Sequence, residues 1–193
     1  MKKTILISLL MVLSIHLIFS QDIEKKELKP ALLVIDVQNA YMSSMDQSDK
    51  DVAIKHINWA IWLFEKYELP IVRVYHQDKD WGPAEDSEEF RFAQEINVKD
   101  EYPMVIKHYG NAFTKTDLDK ILKEKGINTV YLCGLSATGC VLASYIGAND
   151  NDYKAFMIKN ALLSPSAEHT DFIETIMSTV DLETIMFMLE YTQ

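Results

Sequence analysis

Three residues of this chain combine reactive chemistry with a position just beyond a short apolar run: Asp36, Lys107 and Cys140. Asp36 follows Ala31-Leu32-Leu33-Val34-Ile35, and Lys107 follows Pro103-Met104-Val105-Ile106. Cys140 lies shortly after Thr129-Val130-Tyr131-Leu132-Cys133. A carboxylate can take and return a proton, an ammonium can hold a neighbouring negative charge, and a thiol ionises to a strong nucleophile. Gathered in one place they are the parts of an activated thiol site. Separately each has an ordinary reading: a turn-forming Asp, a solvated Lys, a small packed Cys. The spacing predicts Cys140 at the start of a helix, where unpaired N–H groups and the helix dipole favour negative charge. With Lys107 nearby, that placement favours the thiolate, and Asp36 can take the proton.

Whether the three meet depends on the elements around them. Apolar runs predict strands at 31–35, 70–75, 103–106, 129–133 and 154–158, with a sixth at 182–185. Between them lie amphipathic stretches. Ala53, Ile57, Ala60, Ile61 and Phe64 recur at helical spacing within 52–67. Thr114, with Asp117 three residues on, predicts a capped helix running to about Lys125 and stopped by Gly126. Further helices are predicted over 139–149 and after Ser164-Pro165, and a short one within the acidic stretch 78–96. The alternation means an α/β fold, a doubly wound (Rossmann-like), mostly parallel six-stranded sheet with helices on both faces. No repeat or linker divides residues 30–193, so they form one domain. In such a sheet ligands bind beyond the carboxyl ends of the strands, beside the point where strand order reverses. That is where all three reactive residues fall.

The first residues read differently. Lys2 and Lys3 precede an apolar run from Thr4 to Leu13, and Phe19-Ser20-Gln21 supplies a small residue where a cleavage site would lie. This is the layout of a secretory signal peptide over residues 1–20, followed by a polar lead-in over 21–29, and it predicts a periplasmic or secreted protein. The rival reading, an uncleaved anchor, needs about 20 apolar residues, and His16 interrupts this run. Loss of the leader takes the formal charge from −10 to −12, because Lys2 and Lys3 leave and no acid does. An acidic surface of that kind repels phosphate backbones and anionic lipid heads, so no nucleic-acid or membrane partner is expected of the mature chain. The two cysteines, Cys133 and Cys140, fall on either side of a strand-to-helix turn, and no disulfide is expected between them.

The segments LLVIDVQNAY, VIKHYGNAF and CGLSATGCVLAS, in that order and at compatible spacing, resemble the three signature blocks of the isochorismatase-like cysteine hydrolases. The similarity covers essentially the whole mature chain. It implies an isochorismatase-like hydrolase fold and hydrolysis of a small amide, carbamoyl or ureido C–N bond through a thioester. It implies Asp36 as acid and base, Lys107 as its charge partner and Cys140 as nucleophile. It further implies Phe113 as an aromatic of the substrate pocket, a cis peptide at Leu135–Ser136, and an oxyanion hole made by the backbone N–H groups of Ser136 and Cys140. No cofactor is implied, the partner is a small-molecule substrate, and members commonly form homo-oligomers.

The chain also departs from the family pattern. A Thr often stands three residues before the Cys, whereas this position holds Ala137, with Thr138 after it. Nicotinamidases carry an Asp-x-His metal cluster after the second strand, and here that stretch reads Tyr75-His76-Gln77-Asp78-Lys79-Asp80. His76, Asp78 and Asp80 could hold a cation, but zinc needs at least three converging ligands and a polar loop is the expected reading, so no metal is assigned. Isochorismate is not the expected substrate either, because the members acting on it lack the Cys. Tyr41, Trp81, Tyr109 and Tyr145 lie in segments able to line a site, and no role is assigned to them.

Other activities fit the residues poorly. A dinucleotide-binding oxidoreductase needs a glycine-rich turn after the first strand, and Asp36-Val37-Gln38-Asn39-Ala40 contains no glycine. A phosphotransfer enzyme using Asp36 as nucleophile would want a second carboxylate where Gln38 stands. An interaction protein that keeps the fold without the chemistry is the remaining alternative.

Overall fold

The computed structural model describes residues 27–191 apart from Lys79 and Trp81. The predicted leader and most of the polar lead-in lie outside those residues, as does Trp81. Pro30–Ile35 forms β1 and is buried at every position, as expected of an apolar run packed on both faces. It pairs in parallel with Ile71–His76 (β2) on one side and with Thr129–Leu135 (β4) on the other. Met104–Lys107 (β3) lies beyond β2, while Lys154–Leu163 (β5) and Thr179–Val180 (β6) extend the sheet past β4. The order is β3-β2-β1-β4-β5-β6 with every pair parallel. The doubly wound architecture expected from the alternation is therefore present, and strand order reverses between β1 and β4.

Among the described residues six helices flank the sheet: α1 (Asn39–Met42), α2 (Gln47–Lys66), α3 (Leu118–Glu124), α4 (Leu142–Asp150), α5 (Ala167–Ile176) and α6 (Leu182–Tyr191). The period-2 alternation of the strands sorts side chains to the two faces. Leu32 and Val34 join Ile57, Phe64, Leu182 and Ile185 on the face covered by α2 and α6. Leu33 and Ile35 join Leu118, Leu122, Ala148 and Ile173 on the face covered by α3, α4 and α5.

Several expected elements need correction. Residues 182–185 are helix, not strand: Leu182, Ile185 and Leu189 are buried at helical spacing on one side of α6, and the sixth strand is the pair just before it. Thr114 caps nothing. The Thr116 hydroxyl accepts from Leu118 N–H at 3.3 Å, and α3 begins there. The stretch 78–96 contains turns and no helix among its described residues. α2 starts at Gln47 rather than near Val52, because Asp46 accepts from the N–H groups of Ser48 and Asp49 and holds a wholly polar first turn. β5 runs on to Leu163 across an irregularity in its pairing with β4, where Asn160 adopts positive φ and its N–H donates to Glu174.

At the carboxyl end of β4, Gly134 has φ +113°, and a Cβ there would lie 2.1 Å from the carbonyl oxygen of Ile35. Only glycine lets β4 approach β1 this closely, which brings the chain after β4 toward Asp36. Gly134→Ala is expected to cost about 2–3 kcal/mol from backbone strain, read as a lower denaturant midpoint at unchanged slope. A midpoint equal to that of the wild type would contradict this reading of the β1–β4 contact.

Candidate active site

Asp36 is the residue after β1, and its backbone takes φ 54°, a region that non-glycine residues seldom occupy. Its N–H donates to Val74 O at 2.8 Å, which extends the ladder by one step before the chain turns away. The side chain is left at the carboxyl edge of the sheet, almost wholly buried. Lys107 ends β3, two strands away, with β2 between. The register pairs His76, the last residue of β2, directly with Lys107. The lysine stem thus crosses the end of β2, and Nζ donates to Asp36 Oδ2 at 2.7 Å and to His76 Nδ1 at 3.1 Å. Lys107 has no exposed surface.

Cys140 enters from the other side of the switch point. After the cis Leu135–Ser136 peptide, which matches the expectation, residues Ala137–Val141 form a turn ahead of α4 that is kinked at Gly139, whose φ −118° and ψ −107° are not helical. Gly139 and Val141 both donate their N–H groups to Ser136 O, at 2.9 and 3.1 Å. Ala137 is buried in the core where the family's Thr often stands, and the Thr138 hydroxyl lies 3.3 Å from Ser136 Oγ instead. Asp36, His76 and Cys140 each present a ligand-capable atom, all within 4.8 Å of one another. The carboxylate, the ammonium and the thiol expected to meet therefore do so. The structure adds a fourth member, His76.

The electrostatics correct one expectation. Burial pushes the Cys140 thiol up to about 11, with the Asp36 charge adding to the rise and Lys107 only partly opposing it. At rest the sulfur is a thiol, not a thiolate. Burial and the neighbouring Asp36 charge outweigh the pull of Lys107, and two N–H groups of the turn are spent on Ser136. Burial also pushes Asp36 up to about 6 against the opposing pull of Lys107, so it remains a carboxylate at neutral pH. His76 is driven down to about 4, by burial first and by Lys107 second, and its imidazole is neutral. Asp36 Oδ1 is buried without a hydrogen-bond partner. A buried carboxylate oxygen left bare beside a thiol is placed to receive a proton.

The trio of ligand atoms is the one group of its kind among the described residues. Lys107 already donates to two of the three, so a cation fills the centre and the donor set does not fit a metal. His76, Asp78 and Asp80 do not gather into a ligand cluster; Asp78 Oδ1 instead accepts from Asp80 N–H at 2.9 Å.

The remaining residues divide. Tyr41 is half-buried beside the site: its hydroxyl donates to His76 O at 3.4 Å, and burial with the charges of Asp36, Cys140 and Asp78 pushes it up to about 12. Phe113 packs on the core beneath α3 to α5 with its ring tilted against Tyr153, centroids 5.7 Å apart. Tyr145 packs on the same core, and Tyr109 accepts a hydrogen bond from Lys115. Cys133 points into the opposite core, its thiol within 3.7 Å of Leu33 O and raised far above the ordinary range by burial. It has no part in the site, and both cysteines are free. Gln38 and His76 are the residues that sequence reasoning passed over as site members. A signal existed for His76: as the last residue of a strand, it must share an edge with Lys107.

Comparison with known proteins agrees with this architecture. Residues 30–184 match the family model described as the isochorismatase domain. The uncharacterised isochorismatase family protein YddQ of Bacillus subtilis (strain 168) is 24% identical over 150 residues, 74% of this chain and 82% of that protein. The maleamate amidohydrolase of Pseudomonas putida is 29% identical over 75 residues, 39% of this chain and 34% of that enzyme. The crystal structure of N-carbamoylsarcosine amidase from Thermoplasma acidophilum superposes with a TM-score of 0.68 at 24% identity, covering 80% of this chain and 95% of that one. With the sheet order, the switch-point site and a family match over most of its length all in agreement, the chain belongs to the isochorismatase family of hydrolases.

Proposed function

We propose that the chain is a cysteine-dependent hydrolase that cleaves a small amide, carbamoyl or ureido C–N bond through a thioester on Cys140. The observation that carries this reading is the buried Asp36 carboxylate, held at Oδ2 by Lys107 with Oδ1 unpartnered, presenting an oxygen within 4.8 Å of the Cys140 sulfur. Two similar proteins are named for amide chemistry, the maleamate amidohydrolase and the N-carbamoylsarcosine amidase.

In the first step Sγ attacks the substrate's carbonyl carbon as its proton passes to Asp36. Coupling the two events avoids forming a free thiolate, which burial makes costly. The backbone N–H groups of Ser136 and Cys140 receive the developing oxyanion, and one such donor contributes roughly 3–4 kcal/mol in comparable sites. Asp36 returns the proton to the leaving nitrogen, the C–N bond breaks, and an amine or ammonia departs. Water then attacks the thioester carbon, giving its proton to Asp36. Collapse releases the acid and restores the thiol. Lys107 stays paired with Asp36 throughout and keeps it ionised between steps. Phe113 contributes to the pocket wall, the mature chain acts after export, and it assembles with copies of itself.

The test is ammonia release from small amides, carbamates and ureas, with intact-mass detection of an acyl adduct on Cys140. Turnover without any adduct that denaturation can trap would point away from the thioester. The pH profile has a required sign. Asp36 must be ionised to accept the proton, so kcat/KM falls as pH drops through about 6, approaching tenfold per unit. A flat profile from pH 7 down to 4.5 would remove Asp36 from the base role.

A further inference from the structure

We propose that His76 is a positioning and specificity residue of this site: its Nδ1 fixes the Lys107 ammonium, and its Nε2–H is offered to an uncharged carbonyl-type oxygen of the substrate. The inference rests on the hydrolase reading above and deepens it.

The geometry starts from Gln38, whose side chain is fully buried. Gln38 Oε1 accepts from the backbone N–H of His76 at 2.7 Å. Its Nε2 donates to the backbone oxygens of His76 at 3.2 Å and Phe90 at 2.9 Å. A side-chain amide thus does for the end of β2 what one more strand residue would do, and His76 is held at a defined height. Its ring then meets Lys107 Nζ at 3.1 Å. An ammonium has only protons to give, so Nδ1 must accept and the ring proton must sit on Nε2. The ring is half-buried while the ammonium is fully buried, and Nε2, unlike Nδ1, is not engaged by Lys107 and keeps its proton for a substrate oxygen. Six groups bear on the ring, two of them Asp36 and Cys140, each with an atom within 4.8 Å. Lys107 and His108 oppose its protonation, Asp78 favours it, and the Tyr41 ring stands 6.1 Å away.

The charge inventory sets the substrate class. Among the described residues Lys107 is the only cation bonded to the trio, and its charge is already matched by Asp36. Asp78 adds negative charge at the mouth, and His76 supplies a donor without a charge. Among the described residues, a substrate carboxylate beside the scissile group would meet only the Lys107 ammonium already paired with Asp36, whereas a ureido, carbamoyl or amide oxygen needs only a donor. The site therefore suits uncharged amides and ureas over their carboxylate-bearing analogues.

Two measurements test this. The first needs no substrate. Long-range 1H–15N correlation spectra of histidine-labelled protein should show His76 as the Nε2–H tautomer from pH 7 to 5, with the pattern lost in Lys107→Met. An Nδ1–H tautomer, or a protonated ring at pH 6, overturns the proposal whatever the activity. The second uses paired substrates with and without a carboxylate next to the amide. Wild type should favour the uncharged partner at least tenfold in kcat/KM. His76→Ala should lower kcat tenfold or more with KM within threefold, and His76→Gln, which retains an acceptor and a donor, should recover most of that loss. Equal rates for wild type and His76→Ala, or no recovery in His76→Gln, overturn it. A wild type inert toward every pair counts against the hydrolase reading, and the tautomer result still stands or falls alone.

Discussion

Cys140→Ala loses at least ~10⁴-fold in kcat on any substrate the wild type turns over, because no other group in the site can form the covalent intermediate. The fold should be unharmed, since Cys140 is only half-buried and makes no disulfide. Cys140→Ser should be nearly as inactive: an alcohol is a much weaker acid than a thiol, and a carboxylate titrating near 6 is a poor base toward it. The resting thiol has its own signature. At pH 7 a thiol titrating near 11 reacts with iodoacetamide roughly two to three orders of magnitude more slowly than a free cysteine near 8.5. The enzyme should thus be fast toward its substrate and sluggish toward a simple alkylating agent. Cys133, buried in the opposite core, should stay unlabelled until the protein unfolds. Retention of activity within tenfold in Cys140→Ala would remove the nucleophile from the mechanism. Rapid alkylation at pH 6 would restore the preformed thiolate.

The sequence placed Asp36, Lys107 and Cys140 at the carboxyl edge of the sheet because each comes at or after the end of an apolar run of strand length. That holds whether the strand is central and fully buried, as β1 and β4 are, or at the edge, as β3 is. Their convergence followed from topology alone: β1 and β4 are neighbours, and the order reverses between them. The charge state of the sulfur was not legible. It depends first on how deeply Cys140 is buried and then on the balance between the Asp36 and Lys107 charges beside it, and only the packed structure sets either. The same limit hid His76, whose importance lies in register, and Gln38, whose amide bonds chain far away in sequence. Residues 182–185 failed for another reason: Leu182 and Ile185 with two polar residues between them are too short a segment to have a readable period, and only Leu189 beyond them shows the helix. The polar first turn of α2 escaped because periodicity cannot register residues that bury nothing.

Lys107→Met should be the most damaging change short of losing the nucleophile. Asp36 already titrates near 6 with the ammonium in place, since burial outweighs the attraction. With an apolar group of similar length instead, the carboxylate loses its partner while staying buried, and breaking such a pair costs about 3–5 kcal/mol. The protein can relieve part of that by keeping Asp36 protonated to higher pH. The sign follows directly. A carboxyl raised above its ordinary value holds a proton that the unfolded chain has released, so folding is most favourable at low pH and weakens as pH rises through the folded value. For the wild type this loss amounts to about 3 kcal/mol, complete by roughly pH 6. For Lys107→Met the loss continues above pH 6, so the two melting curves should converge near pH 4 and separate steadily toward pH 8. Activity at pH 7 should fall at least ~10³-fold, because the base is protonated and the ammonium that fixes it is gone. Part of it should return at alkaline pH as Asp36 ionises. If the stability difference were the same at pH 4 and pH 8, Lys107 would be a packing residue, and the charge pairing at the end of the sheet would have no part in keeping Asp36 ready to accept the thiol proton.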